Sequence, residues 1–143
     1  MGGAKPNPNY EEVCGGNTGH VEVAEVIFDE NVIPAEIILD IFFTLHDPTQ
    51  VNRQGNDVGT QYRSAMFYRD QAQQDLFTKA LERAKDIWPG KMATEITAAT
   101  EFWIGEEYHQ DFFAKNPNQG YCNAVVAPKM AKTRKAFSQF VQP

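Results

Sequence analysis

The chain is poor in cysteine, with only Cys14 and Cys122 among 143 residues, which is too few for a disulfide scaffold. It has no apolar run near the ~20 residues a membrane-spanning helix needs, so no membrane partner is expected. Its three histidines, His20, His46 and His109, are scattered, and there is no CxxC or HExxH pattern. A single Glu106-x-x-His109 spacing lacks the second copy and the extra glutamates of a helical di-iron site, so no metal is expected. Positive charge is the minority sign: 13 Lys and Arg stand against 19 Asp and Glu, giving a net charge of −6. A phosphate backbone demands a basic surface, so nucleic acid is not an expected partner. The one basic cluster, Lys129, Lys132, Arg134 and Lys135, reads as a solvated helix face. Gly15 to Gly19 is glycine-rich but has no following Lys-Ser/Thr, and it leads toward a strand where a phosphate loop needs a helix N-terminus. No signal-peptide pattern opens the chain. A reducing, cytoplasmic setting is therefore expected, unless a targeting signal lies ahead of residue 1.

What is present is an ordinary globular balance, 42% hydrophobic and 22% charged, in a length that suits one domain over residues 1–143. Asn9 is placed to cap a short helical turn from Tyr10 to Cys14. Val21 to Phe28 begins with strict alternation and is rich in valine, which predicts a strand. Pro34 fits the first turn of a helix running to about His46. That helix is apolar on nearly every side, as expected of one buried between layers. A long polar connection, Asp47 to Thr60, separates it from a short strand at Ser64 to Tyr68. Asp70 should cap a helix through Ile87, with Ala72, Leu76, Ala80, Leu81 and Ala84 on one stripe, and Pro89-Gly90 should stop it. Glu95 to Phe102 reads as β-rich, Trp103 to Ala114 as containing a helix, and Pro128 to Phe140 as a terminal amphipathic helix. Strands alternating with helices indicate an α/β or α+β sandwich.

Tyr, Glu, Asp and Asn concentrate in two polar stretches. The first runs NPNYEEVC (7–14) and TGHVE (18–22); the second runs HDPTQ (46–50), NRQGND (52–57) and GTQYRSA (59–65). With EEYHQDFFAKNPN (106–118) and GYC (120–122), this ordered series resembles the signature segments of the A-type peptide methionine sulfoxide reductases. The resemblance implies an α+β fold, a two-layer α/β sandwich of ferredoxin-like type with a mixed sheet. It also implies reduction of methionine-S-sulfoxide, free or in oxidised proteins, with no bound cofactor and with thioredoxin or another dithiol as reductant.

The same resemblance assigns roles by position. Glu22 in TGHVE matches the acid that protonates the sulfoxide oxygen, a task requiring a carboxyl held in a low-dielectric pocket with a raised pKa. Tyr10 in NPNY and Tyr62 in GTQY match phenols that hydrogen-bond that oxygen, and Asp57 in GND matches a polar residue orienting the network. Taken by themselves, Glu22 would be a solvent-facing strand residue, the tyrosines half-buried packing residues and Asp57 a turn residue. Cys122 in GYC stands where many members keep a resolving cysteine, although Gln119 interrupts the commoner NPNGYC run. Cys14 sits where the family often carries a cysteine that is not the nucleophile, and it reads as a small buried hydrophobe.

The family's nucleophile lies in a GCFWG motif at the end of the first strand, and that motif does not occur in these 143 residues. The expectation is a domain missing its first strand and helix, inactive alone and prone to aggregate through exposed strand edges and apolar surface. The alternative is a non-catalytic chain that binds sulfoxide or a protein partner. A third reading gives the nucleophile's role to Cys14 or Cys122, with Cys122 favoured by its neighbouring glycine.

Overall fold

Asp70 does at the start of its helix what its side chain predicts. Its carboxylate accepts the backbone N–H of Gln73 at 2.8 Å, satisfying one of the donors a helix leaves unpaired at its N-terminus. In the computed structural model, which describes residues 1–141, this helix runs Gln71–Ala84. Ahead of it the chain forms α1 (Tyr10–Cys14), α2 (Ala35–Leu45), and a tiny hairpin of β1 (Arg53–Gln54) and β2 (Asp57–Val58). Strand β3 (Ala65–Tyr68) leads into α3 (Gln71–Ala84), and β4 (Glu95–Ala98) follows it. The chain then enters α4 (Phe112–Lys115) and α5 (Ala127–Ala136). It divides into two units, Met1–Ile104 and Gly105–Pro143.

In the first unit β3 and β4 pair in parallel, with Ala65 opposite Glu95 and Tyr68 opposite Ala98. Parallel neighbours need a crossover, and α3 supplies it. The core forms where Leu39 and Phe43 of α2 and Ala80 and Ala84 of α3 meet Met66 of β3. Small alanines on α3 let these elements approach closely, and Trp88 fastens the end of α2 by donating Nε1–H to the Phe43 carbonyl at 3.0 Å. A buried polar chain adds to this. His46 Nδ1 lies 2.9 Å from the Phe42 carbonyl, its Nε2 lies 2.7 Å from Ser64 Oγ, and Ser64 Oγ lies 2.8 Å from Thr94 Oγ1. Thus the end of α2 and the approaches to both strands share one network. Helices on a small sheet make the domain α+β.

Three expectations change. Residues 21–28 form no strand: Val21 N–H reaches the Met1 carbonyl and Glu22 N–H the Gln61 carbonyl, each at 2.9 Å, and Ile27 is 88% exposed. A β-prone pattern becomes a strand only where a ladder partner lies alongside. Helix α2 is not buried on all sides; Leu39 and Phe43 are its buried residues, while Ile37, Ile38, Ile41 and Leu45 are half-exposed. Its second face therefore has less cover than its composition suggests.

The second unit carries the third change. The helix expected over 103–114 is replaced by a 3-10 turn at Glu107–His109 and the four-residue α4. Asp111, between them, adopts the left-handed conformation with φ 54°, which ends a right-handed run. Further on, the turn Cys122–Val126 is a π-helix leading directly into α5. Pro128 explains the wide turn: it has no N–H to donate, and its ring crowds the carbonyl four residues back. Arg134 and Lys135 lie in the last turn of α5, where positive charge complements the helix dipole.

The core's location gives a direct test. Phe43→Ala should lower the stability of the first unit by about 3–5 kcal/mol, the usual cost of emptying a buried phenylalanine site, read as a lower urea midpoint. Ile27→Ala, at an exposed position, should shift that midpoint little; equal losses would show that the core is elsewhere.

Candidate functional site

Helix α1 is fixed at its start by a reciprocal cap. Asn9 Oδ1 accepts the Glu12 N–H at 3.0 Å, and the Glu12 carboxylate accepts the Asn9 N–H at 3.0 Å, the pairing of a capping box. One turn of helix separates Tyr10 from Cys14, so both side chains fall on one face. The Tyr10 phenol is within hydrogen-bonding range of the Cys14 thiol. Tyr62, at the end of the 3-10 turn Thr60–Tyr62, reaches the same thiol.

These groups also feel one another's charge. The Cys14 contact first, then burial, then the charges of Cys14, Tyr62 and Glu22, hold the Tyr10 phenol well above its ordinary pKa. For Tyr62, burial leads, followed by the charges of Glu22, Cys14 and Asp57, and its pKa is also raised. Tyr10 and Tyr62, which the sequence places in separate segments, therefore meet at Cys14, with Glu22 near both phenols and Asp57 near Tyr62. Sequence reasoning missed this thiol's place. Cys14 is half-exposed rather than buried, and the signal that could have found it is its position one helical turn after Tyr10.

The segment bearing Glu22 is tied down by buried groups on either side. His20 is 2% exposed; its Nδ1 accepts the Gly3 N–H at 3.0 Å, so Nε2 carries the hydrogen and donates to the Lys5 carbonyl at 2.7 Å. The approach at Gly3 is close: a Cβ there would lie 2.3 Å from the Thr18 carbonyl oxygen, so no other residue fits. Arg63 donates to the Thr60 carbonyl at 2.8 Å and the Gly19 carbonyl at 3.1 Å, joining the two loops.

Glu22 itself is exposed. The dry pocket expected around it is not formed by the described residues, because the loop between Val21 and Pro34 lies mostly open to solvent. Asp57 is half-buried at the start of β2. Cys122 belongs to the second unit, where it is fully buried and its thiol points to Gln119 Oε1 at 3.8 Å. Its place in a helical turn removes the mobility that its glycine neighbour suggests. Among the described residues no group of His, Cys, Asp and Glu could hold a metal ion, and no helix is long and apolar enough to cross a membrane.

Two phenols meeting a thiol on an α+β domain, with a carboxyl near both phenols, suit the class of thiol-based oxidoreductases. Comparison with known proteins makes this specific. The family model for peptide methionine sulfoxide reductase matches residues 1–141. A peptide methionine sulfoxide reductase MsrA from Clavibacter michiganensis subsp. michiganensis is 58% identical over 142 residues, 99% of this chain and 81% of that protein. One from Pseudarthrobacter chlorophenolicus is 52% identical over 140 residues, covering 98% and 80%. Among solved structures, reduced Mxr1 from Saccharomyces cerevisiae superposes with a TM-score of 0.77 at 39% identity, covering 85% of this chain and 67% of that one. Methionine sulfoxide reductase A of Corynebacterium diphtheriae gives a TM-score of 0.75 at 36% identity, covering 83% and 62%. The chain belongs to the peptide methionine sulfoxide reductase family.

The raised phenol pKa values carry a pH prediction. A tyrosine whose folded pKa exceeds its unfolded value of 10.0 favours the fold fully below pH 10. That contribution is lost as pH rises above this value toward the folded pKa, because the unfolded phenol ionises first. Stability should therefore fall with rising pH above about 10, and Tyr10→Phe or Tyr62→Phe should flatten the fall. Alkaline urea melts that decline equally in all three proteins would contradict the contact.

Proposed function

We propose that this chain carries the oxygen-binding half of a methionine-S-sulfoxide reductase site. Glu22 protonates the sulfoxide oxygen, Tyr10 and Tyr62 donate hydrogen bonds to it, and Asp57 steadies the network. The observation that supports this most is the convergence of two uncharged phenols and a carboxyl at one point of a family domain. A phenol keeps its hydrogen at neutral pH, and here more firmly than usual, so it can stabilise charge growing on oxygen. A cysteine thiolate attacking the substrate sulfur would leave as a sulfenic acid while methionine departs. A second thiol then forms a disulfide with loss of water, and thioredoxin or another dithiol reduces it; no bound cofactor is required. Cys122 is the resolving thiol on this reading, and it must leave its buried turn to act. The setting is cytoplasmic, where a disulfide formed in turnover is returned to thiols.

Neither Cys14 nor Cys122 stands in a GCFWG segment, and we assign the attacking thiol to neither. Residues 1–143 by themselves should form no methionine from methionine-S-sulfoxide with excess dithiothreitol. Joined behind a first strand bearing GCFWG, they should turn over the S epimer. In that form Glu22→Gln should lower the rate about 10²–10⁴-fold, the usual worth of a positioned acid. Turnover by residues 1–143 alone, lost in Cys14→Ser, would move the attacking role to Cys14. A second reading is a chain that binds sulfoxide or a partner without chemistry. Binding without turnover in both forms would select it.

A further inference from the structure

Gln61 is 5% exposed and touches the segments that bear Cys14, Glu22 and Tyr62. Its side-chain Nε2 donates to the Cys14 carbonyl at 3.1 Å. Its backbone carbonyl accepts the Glu22 N–H at 2.9 Å. Its covalent neighbour is Tyr62. The Cys14 carbonyl is one of those that a short helix leaves unpaired at its C-terminal end, so the amide meets a real deficit there. Yet the other half of the amide is unsatisfied: Gln61 Oε1 is buried with no hydrogen-bond partner among the described residues. A buried acceptor left unpaired is costly, and an apolar side chain of similar size would fill the space without that cost. Packing alone therefore does not explain an amide here; its donor does. The neighbouring backbone yields to it as well. Gly59 has φ 150°, and a Cβ there would stand 2.3 Å from Gln61 Oε1, so residue 59 gives up its side chain to make room for the amide.

We infer that Gln61 is a positioning residue of this site, holding Glu22, the helix that bears Tyr10 and Cys14, and Tyr62 in mutual register. The inference rests on the reading of the cluster as the sulfoxide-oxygen site. The three segments meet without a shared ladder; Arg63 joins the Thr60–Tyr62 turn to the Gly19 loop, and Gln61 reaches all three.

The test uses the full chain, with Gln61→Met removing the donor at similar volume and Gln61→Glu making it pH-dependent. Two quantities are read: the rate at which iodoacetamide alkylates Cys14, resolved from buried Cys122 by peptide mapping, and the affinity for methionine-S-sulfoxide. Gln61→Met should speed Cys14 alkylation and weaken sulfoxide binding, each about tenfold, the scale of one lost hydrogen bond. Gln61→Glu, expressed as a ratio to the parent chain at each pH, should match the parent in acid, where the protonated carboxyl donates to the Cys14 carbonyl. The ratio should climb to that of Gln61→Met as the carboxyl ionises. This return of function in acid also covers the case in which Gln61→Met fails to fold. A purely structural role would lower the melting temperature without this pH-dependent ratio, and parent-like alkylation in both variants across pH would overturn the inference. A parent chain that binds no sulfoxide would instead sink the oxygen-site reading, while the alkylation ratios would still decide the role of Gln61.

Discussion

The site depends on holding three loops together where no sheet does it. Glu22, α1 and the Thr60–Tyr62 turn lie outside the paired strands, so backbone hydrogen bonds that a ladder would supply must come from side chains and isolated carbonyls. Buried His20 fastens the amino-terminal segment to the loop before Glu22. Arg63 reaches from beside Tyr62 back to Gly19 and forward to Glu95 of β4 at 3.1 Å, linking the loops to the sheet. The exposed ion pairs elsewhere, such as Arg83 with Asp40 at 2.7 Å, contribute little by comparison, because water competes for both charges.

What the sequence makes legible follows from how local each signal is. Asn9 and Asp70 are caps by side-chain chemistry alone, and both helices begin where those residues stand. The stripe on α3 is read correctly at Leu76, Ala80 and Ala84, since a helix face needs only spacing. The segment at 21–28 is misread for the opposite reason: its valines describe a surface that fits a pleated neighbour, and strand formation is decided by the neighbour. Trp103 to Ala114 fails because a single left-handed residue, Asp111, interrupts it, and aspartate at that position is equally compatible with a helix. The family was legible through its motifs; the geometry of the cluster was not. Spacing along the chain says nothing about Cys14 facing Tyr62 across 48 residues, or about Glu22 lying open to water.

Cys14 then acquires a role that its composition class does not suggest. Each phenol has one hydrogen to give, and in the free site both phenols are within range of the same thiol. Sulfur is a weak acceptor beside oxygen. On the proposed reading, a sulfoxide oxygen arriving between Tyr10 and Tyr62 exchanges a poor acceptor for a good one, so the phenols lose little when they turn away from Cys14. Had a carboxylate or carbonyl occupied the place of the thiol, the phenols would be committed to a strong partner and the substrate oxygen would compete with it at a disadvantage. A thiol keeps both hydroxyls oriented and surrenders them cheaply, which is what the proposed oxygen-binding role would require of the resting state.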